Sequence, residues 1–227
     1  HWERLTERIG SEDLEEELRN CRYIGAVNWG KLVRVGSIWK GIAEGLKRVG
    51  RKPKEVPFFM DLAEFEQRPL EDQKELVDLV GEITEQCETI LSFNLKEAWQ
   101  MAEVFGGGFK GEKDPSKIAG LAGYLKENIS VDRIVIHPND GAACAGPEGA
   151  VYVPGPFCES PLISTGAGDT FGAGVLAARL LGLSDAATVL TGACASGYYV
   201  RTGAFPTAAQ ILELTDLWRK DKLPERL

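Results

Sequence analysis

Short apolar runs alternate along this chain with longer stretches in which apolar residues recur at helical spacing. Residues 23–27, 56–61, 89–93 and 133–136 are bounded apolar runs and predict buried strands, the second ending on an acid, Asp61. Between them, helices are predicted over about 38–49, 70–87, 95–105 and 115–128; in the second, Leu76, Leu79, Val80 and Ile83 make the stripe. Ser11 is placed to cap a short acidic helix, with Glu12 and Asp13 in its first turn. The glycine-rich stretch 105–113 reads as a loop, and short apolar pieces broken by Gly and Pro over 142–156 predict a hairpin. Three helices follow, over about 169–181, 185–200 and 207–219.

Alternating strand and helix predicts a three-layer αβα sandwich around a mainly parallel sheet, with ligands beyond the carboxyl ends of the strands. Asp61, Asn94 and His137 each fall at a strand end, so they are expected on one rim. No repeat or linker divides the chain, which reads as one α/β domain over residues 1–227.

Composition narrows the chemistry. The 44% hydrophobic content suits a globular core, and a formal net charge of −8 gives no basic footprint for nucleic acid or an anionic membrane. The five cysteines are scattered without metal-ligand spacing, which fits a reduced, cytoplasmic protein. His137 is the only histidine besides His1, leaving little material for a zinc site or a Ser-His-Asp triad. No run of apolar residues is long enough to cross a membrane, and no signal peptide opens the chain. The chain starts on His1-Trp2-Glu3 rather than Met, which suggests a fragment of a longer protein.

The richest segment is Ser164-Thr165-Gly166-Ala167-Gly168-Asp169-Thr170-Phe171-Gly172-Ala173-Gly174. Two glycines allow a tight turn, and the helix that follows aims free N–H groups and its positive dipole end at the same point. Asp169, at that helix start, can accept a proton from a hydroxyl, an arrangement suited to phosphoryl transfer. The plain alternative is a glycine turn with Asp169 as a helix cap. A dinucleotide G-x-G-x-x-G would need glycine where Phe171 stands, and no Walker-type G-x-x-x-x-G-K-[ST] occurs.

This segment resembles the signature of the ribokinase-like (PfkB-type) carbohydrate kinases. The resemblance implies that Asp169 is the catalytic base and that Gly166, Ala167 and Gly168 form the anion hole for the transferred phosphoryl group. Asn94-Leu95-Lys96-Glu97 is similar to the family's N-x-x-E motif, implying that Asn94 and Glu97 organise Mg²⁺, largely through water; the alternative is a helix cap with an acid in its first turn. The stretch from Thr191 to Ala204 resembles the family's small-residue helix and closing R-x-G-A turn, which places Gly192, Ala193 and Ser196 near the adenine. His137, Asn139 and Gly141 stand after the fourth strand, where relatives have T-x-G, and are candidates for nucleotide contact. Asp61 and Arg68 resemble the family's strand-end acid and following arginine.

The resemblance implies a sugar kinase using ATP, with Mg²⁺ as cofactor, a sugar or related alcohol as the small-molecule partner, and a homodimer as one assembly. It covers about residues 20–210, and nothing here matches the family's N-terminal sugar-binding motif or lid strands. Ile163 replaces an aspartate that often helps bind a monovalent cation, which puts potassium activation in question. ADP-dependent sugar kinases share the fold and both motifs, so ADP stays open as donor. Phosphorylation of a nucleoside or other small alcohol, and a non-catalytic nucleotide-binding module, stay open too.

Overall fold

The apolar runs pair as parallel strands in sequence order: β1 (Ile24–Ala26), β2 (Pro57–Asp61), β3 (Glu88–Phe93) and β4 (Arg133–Ile136). The hairpin β5 (Gly141–Gly146) and β6 (Gly149–Pro154) adds antiparallel to β4, completing a six-stranded sheet in the computed structural model, which describes residues 1–227. Strands covered on both faces need no polar alternation, and Phe58, Phe59 and Met60 are all buried. Phe58 and Met60 join one hydrophobic cluster and Phe59 the other, as the two-residue side-chain period requires.

Helices α3 (Val35–Arg48), α4 (Leu70–Gln86), α5 (Leu95–Val104) and α6 (Pro115–Asn128) cover the larger cluster's face. On the opposite face, α7 (Ala167–Leu180) and α8 (Asp185–Thr202) pack through Phe171, Val175, Leu176, Val189 and Ala193, and α9 (Ala208–Arg219) lies against α8. This is the expected three-layer αβα sandwich with a mainly parallel sheet. No helix is long and apolar enough to cross a membrane.

The N-terminal segment departs from expectation. A first helix, α1 (Trp2–Ile9), runs straight into α2 (Ser11–Asn20), so Ser11 is the first helical residue and not the cap. Gly10 makes the corner at φ 99°, and no side chain caps α2. A 3₁₀ turn at Phe65–Gln67, reached through Ala63 and Glu64 at positive φ, was also not foreseen.

Two devices fix α7 and α8. At the amino end of the sheet, Arg133 Nε donates to Asp185 Oδ1 at 2.6 Å, and Arg133 and Arg179 both donate to Glu88 Oε1. Nearer the site, the helices approach through small residues: a Cβ built on Gly174 would lie 2.9 Å from Gly192 Cα and 3.0 Å from Ala195 Cβ. Gly174→Ala is therefore expected to lower stability by about 1–3 kcal/mol, the usual cost of overpacking. A urea titration should show a lower midpoint with unchanged slope.

Candidate active site

The segment entering α7 turns through Gly166 at φ 89°, a left-handed conformation that suits glycine. Beneath the turn lies Tyr199 of α8, whose hydroxyl donates to Thr165 O at 2.9 Å; a Cβ on Gly166 would come within 2.9 Å of that hydroxyl. The amide of Ala167 donates to Ser164 O at 3.1 Å, and Thr170 N–H closes the first helical turn on Gly166 O. The amides of Gly166, Gly168 and Asp169 donate to no backbone carbonyl. An unpaired set of donors at a positive helix end is a natural place for an anion.

Two cavities meet at this helix start. One, of about 270 Å³, is lined by Ala167, Gly168, Asn94, His137, Asn139, Gly141, Ala193 and Ser196. These eight sequence candidates come together although they are drawn from four separate segments. The other, of about 410 Å³, is mostly apolar, with Tyr23, Val27, Phe59, Leu176 and Leu180 around Asp169. Ala167 and Gly168 thus face one cavity and Asp169, one residue on, faces the other. Gly192 lies elsewhere, with the position of its absent Cβ filled by Phe171 and Val175 at 2.9 Å, so it serves helix packing.

Asp169 is exposed and in no ion pair. Burial against the cavity wall, and next the negative charge of Asp61, push its carboxyl above the ordinary aspartate range. Asp61 ends β2, with its Oδ2 3.9 Å from His137 Nε2. The His137 ring stacks on Phe171 at 4.8 Å, and its Nε2 is buried without a hydrogen-bond partner. Arg68 is turned away from this rim: it pairs with Asp72 at 2.8 Å and lies over the Trp29 ring.

Glu97 is 3% exposed and completes a capping box at the start of α5. Its Oε2 accepts from Asn94 N–H at 3.1 Å and its Oε1 from Glu64 N–H at 2.8 Å, while Asn94 Oδ1 accepts from Glu97 N–H at 2.9 Å. Burial raises the Glu97 carboxyl, opposed by these two amide bonds. No three His, Cys, Asp or Glu side chains converge as a direct metal cage. Asn94 lines the nucleotide-side cavity, whereas Glu97 lines neither cavity and has both carboxylate oxygens taken by backbone amides.

Sequence reasoning assigned no role to Tyr199, Phe171 or the wall residues Gly155, Pro156, Cys158 and Pro161. Their signal is three-dimensional: an ordinary aromatic under a turn, and a connector with no periodicity.

A family model described as prokaryotic ketohexokinase matches residues 1–218. Among curated proteins, a ketohexokinase of Haloferax volcanii is 24% identical over 206 residues, which is 91% of this chain and 53% of that protein. Adenosine kinase from Sinorhizobium meliloti superposes with a TM-score of 0.64 at 17% identity, covering 91% of this chain and 58% of the other. An E. coli protein described as ribokinase II, in complex with ATP and Mg²⁺, gives 0.58 at 16% identity over 94% of this chain and 64% of the other. These likenesses show the ribokinase-like fold, and the chain spans about half the length of the curated relative it matches.

The Glu97 geometry makes a prediction of its own. Glu97→Gln puts an NH₂ group against one of two backbone N–H donors, so a buried donor loses its acceptor. A stability loss of about 1–3 kcal/mol is expected, read as a lower urea midpoint.

Proposed function

The chain belongs to the prokaryotic ketohexokinase family, and on that premise we propose that it carries the catalytic centre of a sugar kinase, transferring the terminal phosphoryl group of a nucleotide to a ketose hydroxyl. The observation that carries this reading is the division at the head of α7: Gly168, whose amide is unpaired, lines one cavity, and Asp169, with a partner-free carboxylate, lines the next. Phosphoryl transfer asks for that division, with the donor on one side, the acceptor hydroxyl on the other, and the moving group between them.

In this reading the nucleotide occupies the cavity between His137-Pro138-Asn139 and α8, its base against Ala193 and Ser196. The Gly168 and Asp169 amides, with the helix dipole behind them, stabilise charge on the transferred group; one such donor is typically worth about 3–4 kcal/mol in the transition state. Asp169 takes the acceptor's proton as the hydroxyl attacks. Asn94 and Glu97, with Asp61 nearby, would hold Mg²⁺ through water, and that ion when bound neutralises phosphate charge. ATP is the donor favoured here, in line with the ATP and Mg²⁺ of the E. coli relative. His137 Nε2, buried and unpartnered, is available to a phosphate oxygen.

A nucleoside acceptor is the second reading, favoured by the apolar walls around Asp169 and the adenosine kinase among the structural relatives. A coupled assay with ATP or ADP across ketohexoses, aldoses and nucleosides separates the readings. No turnover with any acceptor, together with nucleotide binding, would favour a non-catalytic module.

Asp169→Asn should leave Mg–nucleotide affinity unchanged by calorimetry and lower kcat by about 10²-fold or more, the usual size of a general-base effect; retention of more than about a tenth of kcat rules it out as the base. The base works only as a carboxylate, and both the cavity wall and Asp61 disfavour that form. The acid limb of kcat/KM is therefore expected above the ordinary aspartate value of about 3.9. Asp61→Asn removes a like charge and should move that limb to lower pH; an unmoved limb contradicts the coupling.

A further inference from the structure

The segment 155–166, between β6 and α7, has no helix or strand of its own. It nonetheless forms one wall of the nucleotide-side cavity through Gly155, Pro156, Cys158, Pro161 and Ser164, and it leads directly into the Gly166–Asp169 turn. A connector without a hydrogen-bond ladder must find external partners for its backbone. The structure supplies them from α8 and from the C-terminal tail.

Arg201, near the end of α8, is 2% exposed. Its Nη1 donates to Pro156 O and Gly197 O at 2.9 Å each, its Nη2 to Phe157 O, and its Nε to Pro224 O at 2.9 Å. No carboxylate takes part. A buried guanidinium needs such satisfaction, and its planar fork serves several carbonyls as a lysine cannot. The tail then grips the wall directly: Glu225 Oε2 accepts from Ser160 N–H at 3.1 Å and from the Cys158 thiol at 3.3 Å, and Arg226 donates to Ser160 O. Arg201 is thus shared by the wall, through Pro156 and Phe157, and the tail, through Pro224. Glu225 closes the same loop from the far side.

We propose that Arg201 and the tail residues Pro224–Arg226 form a clasp that seats the 155–166 wall, which makes Arg201 and Glu225 positioning residues for nucleotide binding. This rests on the nucleotide assignment made above. The tail lies beyond residue 218, where the family match ends. With the clasp open, the cavity loses one side while Asp169 and the acceptor side keep their supports on α7 and β2. The effect should therefore fall on the nucleotide alone.

The test uses the full chain, Glu225→Gln, and a chain ending at Leu223, each checked for native circular dichroism. Mg–ATP and Mg–ADP affinity is measured by calorimetry. Independently, with no nucleotide present, the rate of Cys158 alkylation by N-ethylmaleimide is followed by peptide mass. Burial and Glu225 both hold that thiol protonated, so loosening the wall and removing the carboxylate should speed alkylation. Both variants are expected to bind nucleotide about tenfold more weakly, comparable to losing one charge-assisted hydrogen bond, and to alkylate faster. In steady state the nucleotide KM rises while kcat and the acceptor KM hold. Wild-type affinity in both variants overturns the proposal, as does weaker binding with unchanged alkylation. If the parent chain binds neither nucleotide, the functional reading fails, and alkylation at the parent rate in both variants still overturns the clasp.

Discussion

The head of α7 is the constraint on which everything else depends. Within two residues the chain turns from Gly168, lining one cavity, to Asp169, lining another, and a shift of about an ångström would misalign the proposed phosphoryl transfer between them. The fold holds this helix start at several points. Tyr199 props the turn from below, Gly174 and Gly192 let α8 lie close, and the Arg133–Asp185–Glu88–Arg179 network ties the opposite ends of both helices to the sheet. The ion network sits at the amino ends of β3 and β4, away from the carboxyl ends where Asp61, Asn94 and His137 stand.

A chain of net charge −8 is a poor electrostatic host for a polyphosphate, and the rim itself carries Asp61, Glu97 and Asp169. The local field must therefore come from oriented dipoles, which act over a few ångströms and leave the net charge unchanged. The raised carboxyls of Asp169 and Glu97 are the other face of the same crowding: burial, and with it the neighbouring charge of Asp61, disfavours the ionised form of each. An acidic rim beside a cationic helix end suits a ligand that carries both phosphate and Mg²⁺.

Much of this was legible in the sequence because the signals are local. The runs that became β2, β3 and β4 are continuously apolar because both faces are covered, and the Gly166–Asp169 turn is contiguous, so its residues could be named together. Asn94 and Glu97 were legible in two ways at once: the same spacing that suits a metal motif also builds the observed capping box, and local sequence cannot separate them. What escaped was non-local. Gly192 looked like its neighbours Ala193 and Ser196, yet one helical step turns it toward Phe171 and away from the cavity. Gly10 gave no helical signal of its own, so the α1–α2 corner was missed. Arg201 was noticed only as part of a turn, since three of the four carbonyls that it binds come from segments more than 20 residues away, in either direction.

The most direct measurement is a crystal structure of the chain with Mg²⁺ and a non-hydrolysable ATP analogue. The terminal phosphate is expected within hydrogen-bond reach of the Gly168 and Asp169 amides, about 2.7–3.2 Å, with the base beside Ala193 and Ser196 and the Asp169 carboxylate left open on the far side. A nucleotide bound elsewhere, or one whose terminal phosphate points away from the start of α7, would contradict the assignment of the site.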